Sequence, residues 1–291
     1  MSGHHIALIT DSTCDIPSQL VREYGITIVP LHVIWGNETF RDRVDLEPGE
    51  FYRRLTEDPA YPTTAHPTPE GFLTTYREAF QEGADEVVVI TLSSELSGAF
   101  HSASQAGTMI DNPVHVFDSK ETTMALGWQV LAAARAREAG ADAEAMLEAA
   151  DKARRQVELY VSLDTLEYLH KGGRIGGAAR LIGSLLDLKP LVYVDHDTGK
   201  VEAAGRVRTR KRGLRTLYDR FFEQLNTENP MHIAVMHGDA PQDAERVAEW
   251  IEREYSPAEL MTDITGPVLG VHTGPRAIAL CGYSEEEGRQ P

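Results

Sequence analysis

The chain has 291 residues, of which 42% are hydrophobic and 25% are charged, so it can bury a substantial core. At roughly 150 residues per domain this length predicts two domains. The formal net charge of −17 argues against nucleic acid as a partner and against electrostatic docking on anionic lipid. No apolar run reaches the roughly 18–20 residues of a membrane span, so we expect no transmembrane segment and at most transient membrane contact. Cys14 and Cys281 lack metal-ligand spacing, which predicts a reduced, cytoplasmic chain with no metal site.

Strands alternate with helices along the first half of the sequence. Apolar, β-branched runs predict strands, and apolar residues at helical spacing predict helices. The predicted strands are residues 6–10, 26–35, 86–91 and 114–117, and the main predicted helices are 47–56, 69–81, 122–138 and 142–156. This alternation predicts a largely parallel sheet with helices on both faces. We therefore expect an α/β fold whose first domain, residues 1–160, is a Rossmann-like three-layer α/β/α sandwich.

The pattern changes after about residue 160. Residues 163–170 and 178–186 read as helices around a glycine-rich loop, and strands 191–194 and 201–204 form a predicted hairpin with its turn at 197–199. A helix from residue 210, a strand at 232–237, another helix and a last strand pair at 260–262 and 277–281 follow. These elements predict a second α/β domain over 161–284 and a flexible tail over 285–291. A cleft between two packed α/β units is a usual place for a ligand.

Residues 86–109 contain the clearest candidate site. A β-branched strand, a short polar turn and a small-residue helix follow one another, with Ser97 and Gly98 at the start of the helix. The first backbone N–H groups of a helix lack intrahelical partners and favour an anion. Ser97 adds a hydroxyl, and Gly98 lets a ligand approach the backbone. The alternative is an ordinary serine N-cap.

Other polar residues lie in loops of the same kind. Thr64 lies in an extended loop before a helix, and His272 lies in a tight turn between Gly270 and Gly274. A basic cluster occupies residues 206–212, where positive charge at a helix start is unfavourable unless it faces an anion. Each has an ordinary alternative, namely a solvated hydroxyl, a structural histidine and a solvated helix start.

Taken together, these segments resemble the DegV family, which includes the fatty-acid-binding subunit of bacterial fatty acid kinase. The matching segments are ITDSTCDIP at 9–17, the Thr-x-x-Pro loop at 64–67, LSSELSGAFHSA at 92–103, VFDSKETTMALG at 116–127, LEYLHKGGRIGG at 166–177, VRTRKRGL at 207–214 and GPVLGVHTGP at 266–275. The resemblance implies a carrier without catalytic residues or a cofactor. It would bury one long-chain fatty acid in an apolar tunnel near the domain junction and present its carboxylate to a separate kinase subunit.

The resemblance also assigns roles to individual residues. Thr64 and Ser97 match hydroxyls that bind the carboxylate, Gly98 matches a backbone donor, and His272 matches an imidazole near the head group. Arg208 is the best match for a nearby arginine, with Arg206 as an alternative.

One matching residue belongs to a partner surface. Arg174 matches an exposed arginine that faces the kinase, and its glycine-rich loop predicts an exposed guanidinium. The chain departs from the family at Ala65-His66, where Ser-Gln is common, and at Arg276, where Gly is usual. Both departures lie beside the predicted head-group residues.

Two other classes of function remain open from the sequence. A serine-dependent acyl hydrolase would use Ser97 as nucleophile and His272 as base, but Glu95 stands where a nucleophile elbow needs glycine. A kinase subunit that binds a small polyol through a histidine would need a small polar pocket rather than an aliphatic tunnel.

Overall fold

A computed structural model of the chain describes residues 4–181 and 188–285. Its first half contains strands β1 (Ile6–Asp11), β2 (Ile26–Val29), β3 (His32–Trp35), β4 (Glu38–Arg41), β5 (Thr63–Ala65), β6 (Glu86–Thr91) and β7 (Val114–Asp118). The helices of this half are α1 (Ser18–Glu23), α2 (Pro48–Glu57), α3 (Pro69–Gln81), α4 (Ala99–Gly107), α5 (Thr123–Glu138) and α6 (Ala143–Gln156). The second half contains strands β8 (Glu158–Ser162), β9 (Lys189–Asp195), β10 (Lys200–Val207), β11 (Met231–His237), β12 (Glu259–Ile264) and β13 (Ile278–Ser284). Its helices are α7 (Glu167–Lys171), α8 (Arg210–Phe222), α9 (Pro241–Tyr255) and α10 (Pro267–Thr273), and 3-10 turns cover Ser12–Cys14 and Gly176–Leu181.

A parallel sheet of order β2-β1-β6-β7 forms the centre of the first half. Parallel strands need crossover connections, and the helices between these strands supply them. The two central strands are almost wholly buried, as their continuous apolar runs predict. The predicted α/β class is confirmed. A separate antiparallel sheet of order β4-β3-β5 lies beside it.

A six-stranded mixed sheet of order β10-β9-β8-β13-β11-β12 forms the second half. On one face, side chains such as Ile233 and Leu280 pack in a core with Leu217 and Phe221 of α8 and Val247 of α9. The opposite face belongs to a different core, which is continuous with the first half of the chain. This second face therefore lies against the loops and helices that follow the parallel strands.

Several predictions for individual elements are wrong. The strand predicted at 26–35 is split into β2 and β3, because Pro30 has no amide hydrogen and Leu31 instead bonds Ser12 Oγ and the Asp42 amide. The last two strands do not pair with each other, since β11 lies between them. The tight turn predicted between Gly270 and Gly274 is instead the end of helix α10.

Predictions around the glycine-rich loop need similar correction. The helix predicted at 163–170 begins only at Glu167, and residues 178–181 of the helix predicted at 178–186 belong to the 3-10 turn Gly176–Leu181. Residues 182–186 of that predicted helix lie outside the described residues, as do residues 286–291 of the predicted tail. The hairpin is confirmed and is longer than predicted. The predicted boundary at residue 160 falls within β8, and the division into two domains stays a prediction.

Buried carboxylates join the two halves of the molecule. Asp15 Oδ1 accepts hydrogen bonds from Arg43 Nη2 at 2.7 Å and from the Gly266 amide at 3.0 Å. Asp42 Oδ1 accepts one from the Val268 amide at 3.2 Å. These contacts fix the start of α10, the helix that carries His272.

Candidate functional site

An internal cavity lies between the six-stranded sheet and the loops that follow the parallel strands. Most of the residues that line it are aliphatic, and strands of the sheet contribute Leu159, Val161, Val192, Val194, Val201, Met236 and Ala279. A smaller part of the wall is polar and includes Thr64, His66, Ser97, Arg174 and His272. Three of the predicted head-group residues, Thr64, Ser97 and His272, thus line one cavity although they are far apart in sequence.

Thr64 and His272 form a direct pair. Strand β5 holds Thr64 opposite Val33, and its Oγ1 lies 3.0 Å from His272 Nε2. Burial and the nearby charge of Arg174 lower the pKa of His272 to about 4, so its imidazole is neutral at pH 7. A neutral imidazole has one donor and one acceptor nitrogen. His272 therefore offers directed hydrogen bonding in this cavity and no positive charge.

The glycine-rich loop makes room for this imidazole. His272 Nδ1 packs so closely against Gly172 that a Cβ there would collide with it. Nδ1 is buried and has no hydrogen-bond partner among the residues that the structure describes. Any side chain at position 172 would displace His272. One glycine of the glycine-rich loop is therefore required by a close packing contact.

The strand–turn–helix order around Ser97 is confirmed. The Ser97 amide bonds the Ser93 carbonyl at 3.1 Å, and helix α4 starts two residues later. Ser97 Oγ accepts a hydrogen bond from the Ala99 amide at 3.3 Å, which is a long bond for this pair of atoms. Because the hydroxyl only accepts in this bond, its own proton is available to a ligand in the cavity.

Gly98 has a second neighbour that the sequence did not indicate. A Cβ at this position would lie 2.7 Å from Cε1 of the His66 ring, so the glycine makes room for the imidazole. Gly98 itself is not among the residues that line the cavity. Its role as a backbone donor stays a prediction. His66 is exposed and lines the cavity. His66 directly follows strand β5, and its two-residue spacing from Thr64 in extended chain is the signal that could have predicted this placement.

The prediction that the Arg174 guanidinium is exposed is wrong. Its side chain is partly buried and lines the cavity. Nε donates to the Leu96 carbonyl at 2.9 Å and Nη1 donates to the Gly172 carbonyl at 2.8 Å. The guanidinium therefore connects the loop before Ser97 to the loop that holds His272. Its contact with a kinase stays a prediction.

Arg208 lies outside the cavity. It follows the end of β10, is exposed, and is not among the cavity-lining residues. Arg206 and Arg276 are also exposed and also lie outside the cavity wall. Arg210 from the same basic cluster bonds Asp243, so that helix start is balanced by an acidic side chain. Arg174 is thus the arginine that the structure brings to the predicted head-group residues.

Neither a membrane-spanning helix nor a metal-binding cluster occurs within residues 4–181 and 188–285. None of the helices in these ranges combines the length and apolar character needed to cross a bilayer. In the same ranges, no group of three His, Cys, Asp or Glu side chains could hold a metal ion.

The fold and the cavity define a class of α/β proteins in which a mostly aliphatic internal cavity with polar side chains lies beside a six-stranded mixed sheet. Residues 5–285 match the family described as "Uncharacterised protein, DegV family". Protein DegV of Bacillus subtilis is 33% identical over 279 residues, which cover 95% of this chain and 98% of that protein. The chain belongs to the DegV family.

Solved structures of this family share the fold. A structure described as "Fatty Acid Binding of a DegV family Protein from Thermus thermophilus" has a TM-score of 0.90 and 33% identity, and covers 97% of this chain and 100% of its own. The structure of "DegV, a fatty acid binding protein from Bacillus subtilis" has a TM-score of 0.89 and 31% identity, with 97% and 100% coverage. A stearic-acid-binding protein from Eubacterium ventriosum has a TM-score of 0.87 and 26% identity, with 96% and 98% coverage.

Proposed function

We propose that this chain binds one long-chain fatty acid in the cavity and holds its carboxylate beside Thr64, Ser97 and His272. The observation that carries the proposal is the composition of the wall, which is mostly aliphatic and carries these three polar side chains. The similar proteins from Thermus thermophilus and Bacillus subtilis, described as fatty acid binding, support it.

The energetics of an acyl chain fit such a wall. At about 0.8 kcal/mol per buried methylene, a chain of about 14 methylenes has a gross transfer gain of roughly 11 kcal/mol. Ordering of the chain on binding removes part of this gain. A carboxylate cannot enter an apolar site without donors. The Ser97 hydroxyl and the Thr64–His272 pair would supply hydrogen bonds, and Arg174 would supply the positive charge that neutral His272 lacks.

We further propose that the chain is a carrier that presents the carboxylate to a separate fatty acid kinase. In this proposal the chain only binds the fatty acid. The separate kinase subunit would bind ATP and magnesium and transfer the phosphate to the carboxylate. The exposed basic residues Arg208 and Lys211 and the cavity residue Arg174 are candidates for the partner surface.

The geometry favours this function over the two alternatives. His272 Nε2 is paired with Thr64, whereas a serine hydrolase would need it to bond Ser97. An aliphatic wall also suits an acyl chain better than a small polyol, whose hydroxyls would lose their water without gaining partners.

The test is binding by the purified, delipidated protein. Isothermal titration with palmitate and oleate should show saturable binding at one site, and lipid extraction before delipidation should recover a fatty acid of about 16–18 carbons, the range expected from the family. Dihydroxyacetone serves as the polyol control. Absence of saturable binding of both acids, or turnover of an acyl ester that Ser97→Ala abolishes, would overturn the proposal.

A further inference from the structure

The last turn of α10 contains a backbone carbonyl that its own helix cannot satisfy. A helical carbonyl normally accepts a hydrogen bond from the amide four residues later, and for Val271 that residue is Pro275, which has no amide hydrogen. The amide of Gly274 bonds the Gly270 carbonyl at 2.8 Å instead. Because Val271 is buried, its carbonyl needs a partner from another part of the chain.

The partner is the phenol group of Tyr61. Its hydroxyl donates to the Val271 carbonyl at 2.8 Å, an ordinary length for a hydrogen bond between two oxygen atoms. Burial raises the pKa of Tyr61 to about 12, so the hydroxyl keeps its proton at pH 7. Tyr61 is not among the residues that line the cavity. It nevertheless fixes the backbone of the residue directly before His272.

Tyr61 also contacts the segment that packs against the other side of the His272 ring. Its hydroxyl lies 3.3 Å from the Tyr168 carbonyl, which accepts a hydrogen bond from the Gly172 amide at 2.9 Å. The ring centroids of Tyr61 and Tyr168 are 5.8 Å apart, and Lys171 Nζ lies 4.9 Å from the Tyr61 centroid. Gly172 is the glycine that makes room for His272 Nδ1. Tyr61 therefore contacts the ends of both α10 and α7, the two elements that enclose this imidazole.

Tyr61 belongs to the same segment as the hydroxyl that bonds His272. Thr64 follows it by three residues, and Thr64 Oγ1 lies 3.0 Å from His272 Nε2. Residues 61–64 thus meet α10 at two successive residues, through the Val271 backbone and through the His272 side chain. Hydrogen bonds weaken steeply as their geometry departs from the ideal. A shift of α10 against β5, once the first contact is lost, would therefore weaken the second.

We propose that Tyr61 is a positioning residue of the head-group site. Its bond to the Val271 carbonyl holds His272 in place against Thr64, and it supports carboxylate binding through this pair. The effect on affinity rests on the proposed fatty acid function. A role confined to capping α10 would stabilise the protein without acting through the Thr64–His272 pair.

A double-mutant cycle measured by isothermal titration with palmitate separates these two roles. Tyr61→Phe removes only the hydroxyl and should weaken binding about five-fold, as expected for the loss of one hydrogen bond. In a Thr64→Val background the same change should have little further effect, because the pair that Tyr61 positions is already lost. The proposal is overturned if Tyr61→Phe keeps full affinity, or if its five-fold loss recurs undiminished in the Thr64→Val background.

Tyr76 provides the matched control. It is buried in α3, and its hydroxyl donates to the Ala103 carbonyl of α4 at 3.1 Å. Neither Tyr76 nor Ala103 lines the cavity. Tyr76→Phe removes the same kind of bond and should leave palmitate affinity unchanged. An equal loss of affinity in Tyr76→Phe and Tyr61→Phe would attribute the effect to general destabilisation and refute the positioning role.

The same cycle in the empty protein tests the geometry without a ligand. Thermal unfolding of the delipidated wild type, both single variants and the double variant should show coupling, with the double variant losing less than the sum of the two separate midpoint shifts. Additive shifts would contradict the positioning role even if palmitate binds. If the shifts are coupled but the wild type binds no palmitate, the fatty acid function is refuted and the positioning of His272 by Tyr61 is supported.

Discussion

Replacement of Ser97 by alanine separates a ligand-binding role from a helix-capping role. In the empty protein the Ser97 hydroxyl accepts one long hydrogen bond, 3.3 Å from the Ala99 amide, so its loss should cost little. Serine-to-alanine changes at N-caps cost about 0.5–2 kcal/mol, and a bond this long belongs at the lower end. We expect the free energy of unfolding of the empty protein to fall by about 0.5 kcal/mol.

The effect on binding should be much larger. A hydrogen bond to a charged acceptor contributes about 1.5–3 kcal/mol, and Ser97→Ala removes the donor while the carboxylate stays in the cavity. This corresponds to a loss of affinity of about ten- to hundred-fold. Isothermal titration with palmitate measures the affinity, and thermal unfolding of the delipidated protein measures the stability.

A serine on the same helix provides the matched control. Ser104 is partly buried in α4, and its hydroxyl bonds the Phe100 carbonyl at 2.8 Å outside the cavity wall. Ser104→Ala should leave palmitate affinity unchanged. The reasoning about Ser97 would be refuted if Ser97→Ala kept full affinity, or if its only effect were a loss of stability in the empty protein.

Three further predictions follow from contacts in and around the cavity. Thr64→Val removes the partner of His272 Nε2. It should lower palmitate affinity by about ten-fold and the free energy of unfolding of the empty protein by about 1 kcal/mol. Thr64→Ser should retain both, and unchanged stability in Thr64→Val would argue against the Thr64–His272 pair. Arg174→Ala should weaken palmitate binding about ten-fold because the head-group region loses its guanidinium. Intact binding with impaired kinase-coupled acyl phosphate formation would assign Arg174 to the partner surface alone. Burial lowers the pKa of His232, but hydrogen bonds to Glu259 and Glu285 outweigh it and raise the pKa. Its protonated form should therefore stabilise the fold below pH 6.5, and this contribution should disappear as the pH rises through the raised pKa. The thermal midpoint of the wild type minus that of His232→Gln, measured from pH 5.5 to 8.5, should fall with pH, and a flat difference would contradict the assignment.

Much of the fold could be predicted from local patterns. Continuous β-branched runs gave β1 and β6, and helical spacing with a proline at the first turn gave α3. Strand β8 was missed because its five residues follow a long helix without a turn signal. The division of residues 26–35 follows from Pro30, because a proline without an amide hydrogen interrupts a strand, and this signal is visible in the sequence.

The candidate site was harder to predict because its contacts join distant segments. Thr64 and His272 are 208 residues apart, and only the family resemblance suggested that they meet. The glycines around Arg174 predicted exposure, but the carbonyl that holds its Nε belongs to Leu96, 78 residues away. Local sequence carries no information about such a partner. The basic cluster at residues 206–212 predicts an arginine beside the head group, but Arg208 lies outside the cavity. A local run of positive charge does not indicate which surface each side chain faces.

The arrangement of the cavity links ligand binding to the packing of the parallel sheet against the six-stranded sheet. Ser97 follows a strand of the parallel sheet, whereas the aliphatic wall belongs to the six-stranded sheet. His272 is carried by α10, whose start is held by Asp15 and Asp42 from the first half of the chain. An acid that contacts all of these elements would stabilise their packed arrangement and would have no equivalent site in the unfolded chain. Mass action then requires that the bound form be more stable, by about 2.7 kcal/mol at a ligand concentration about one hundred times Kd. A fatty acid in this position would therefore act as part of the core that holds the two halves together.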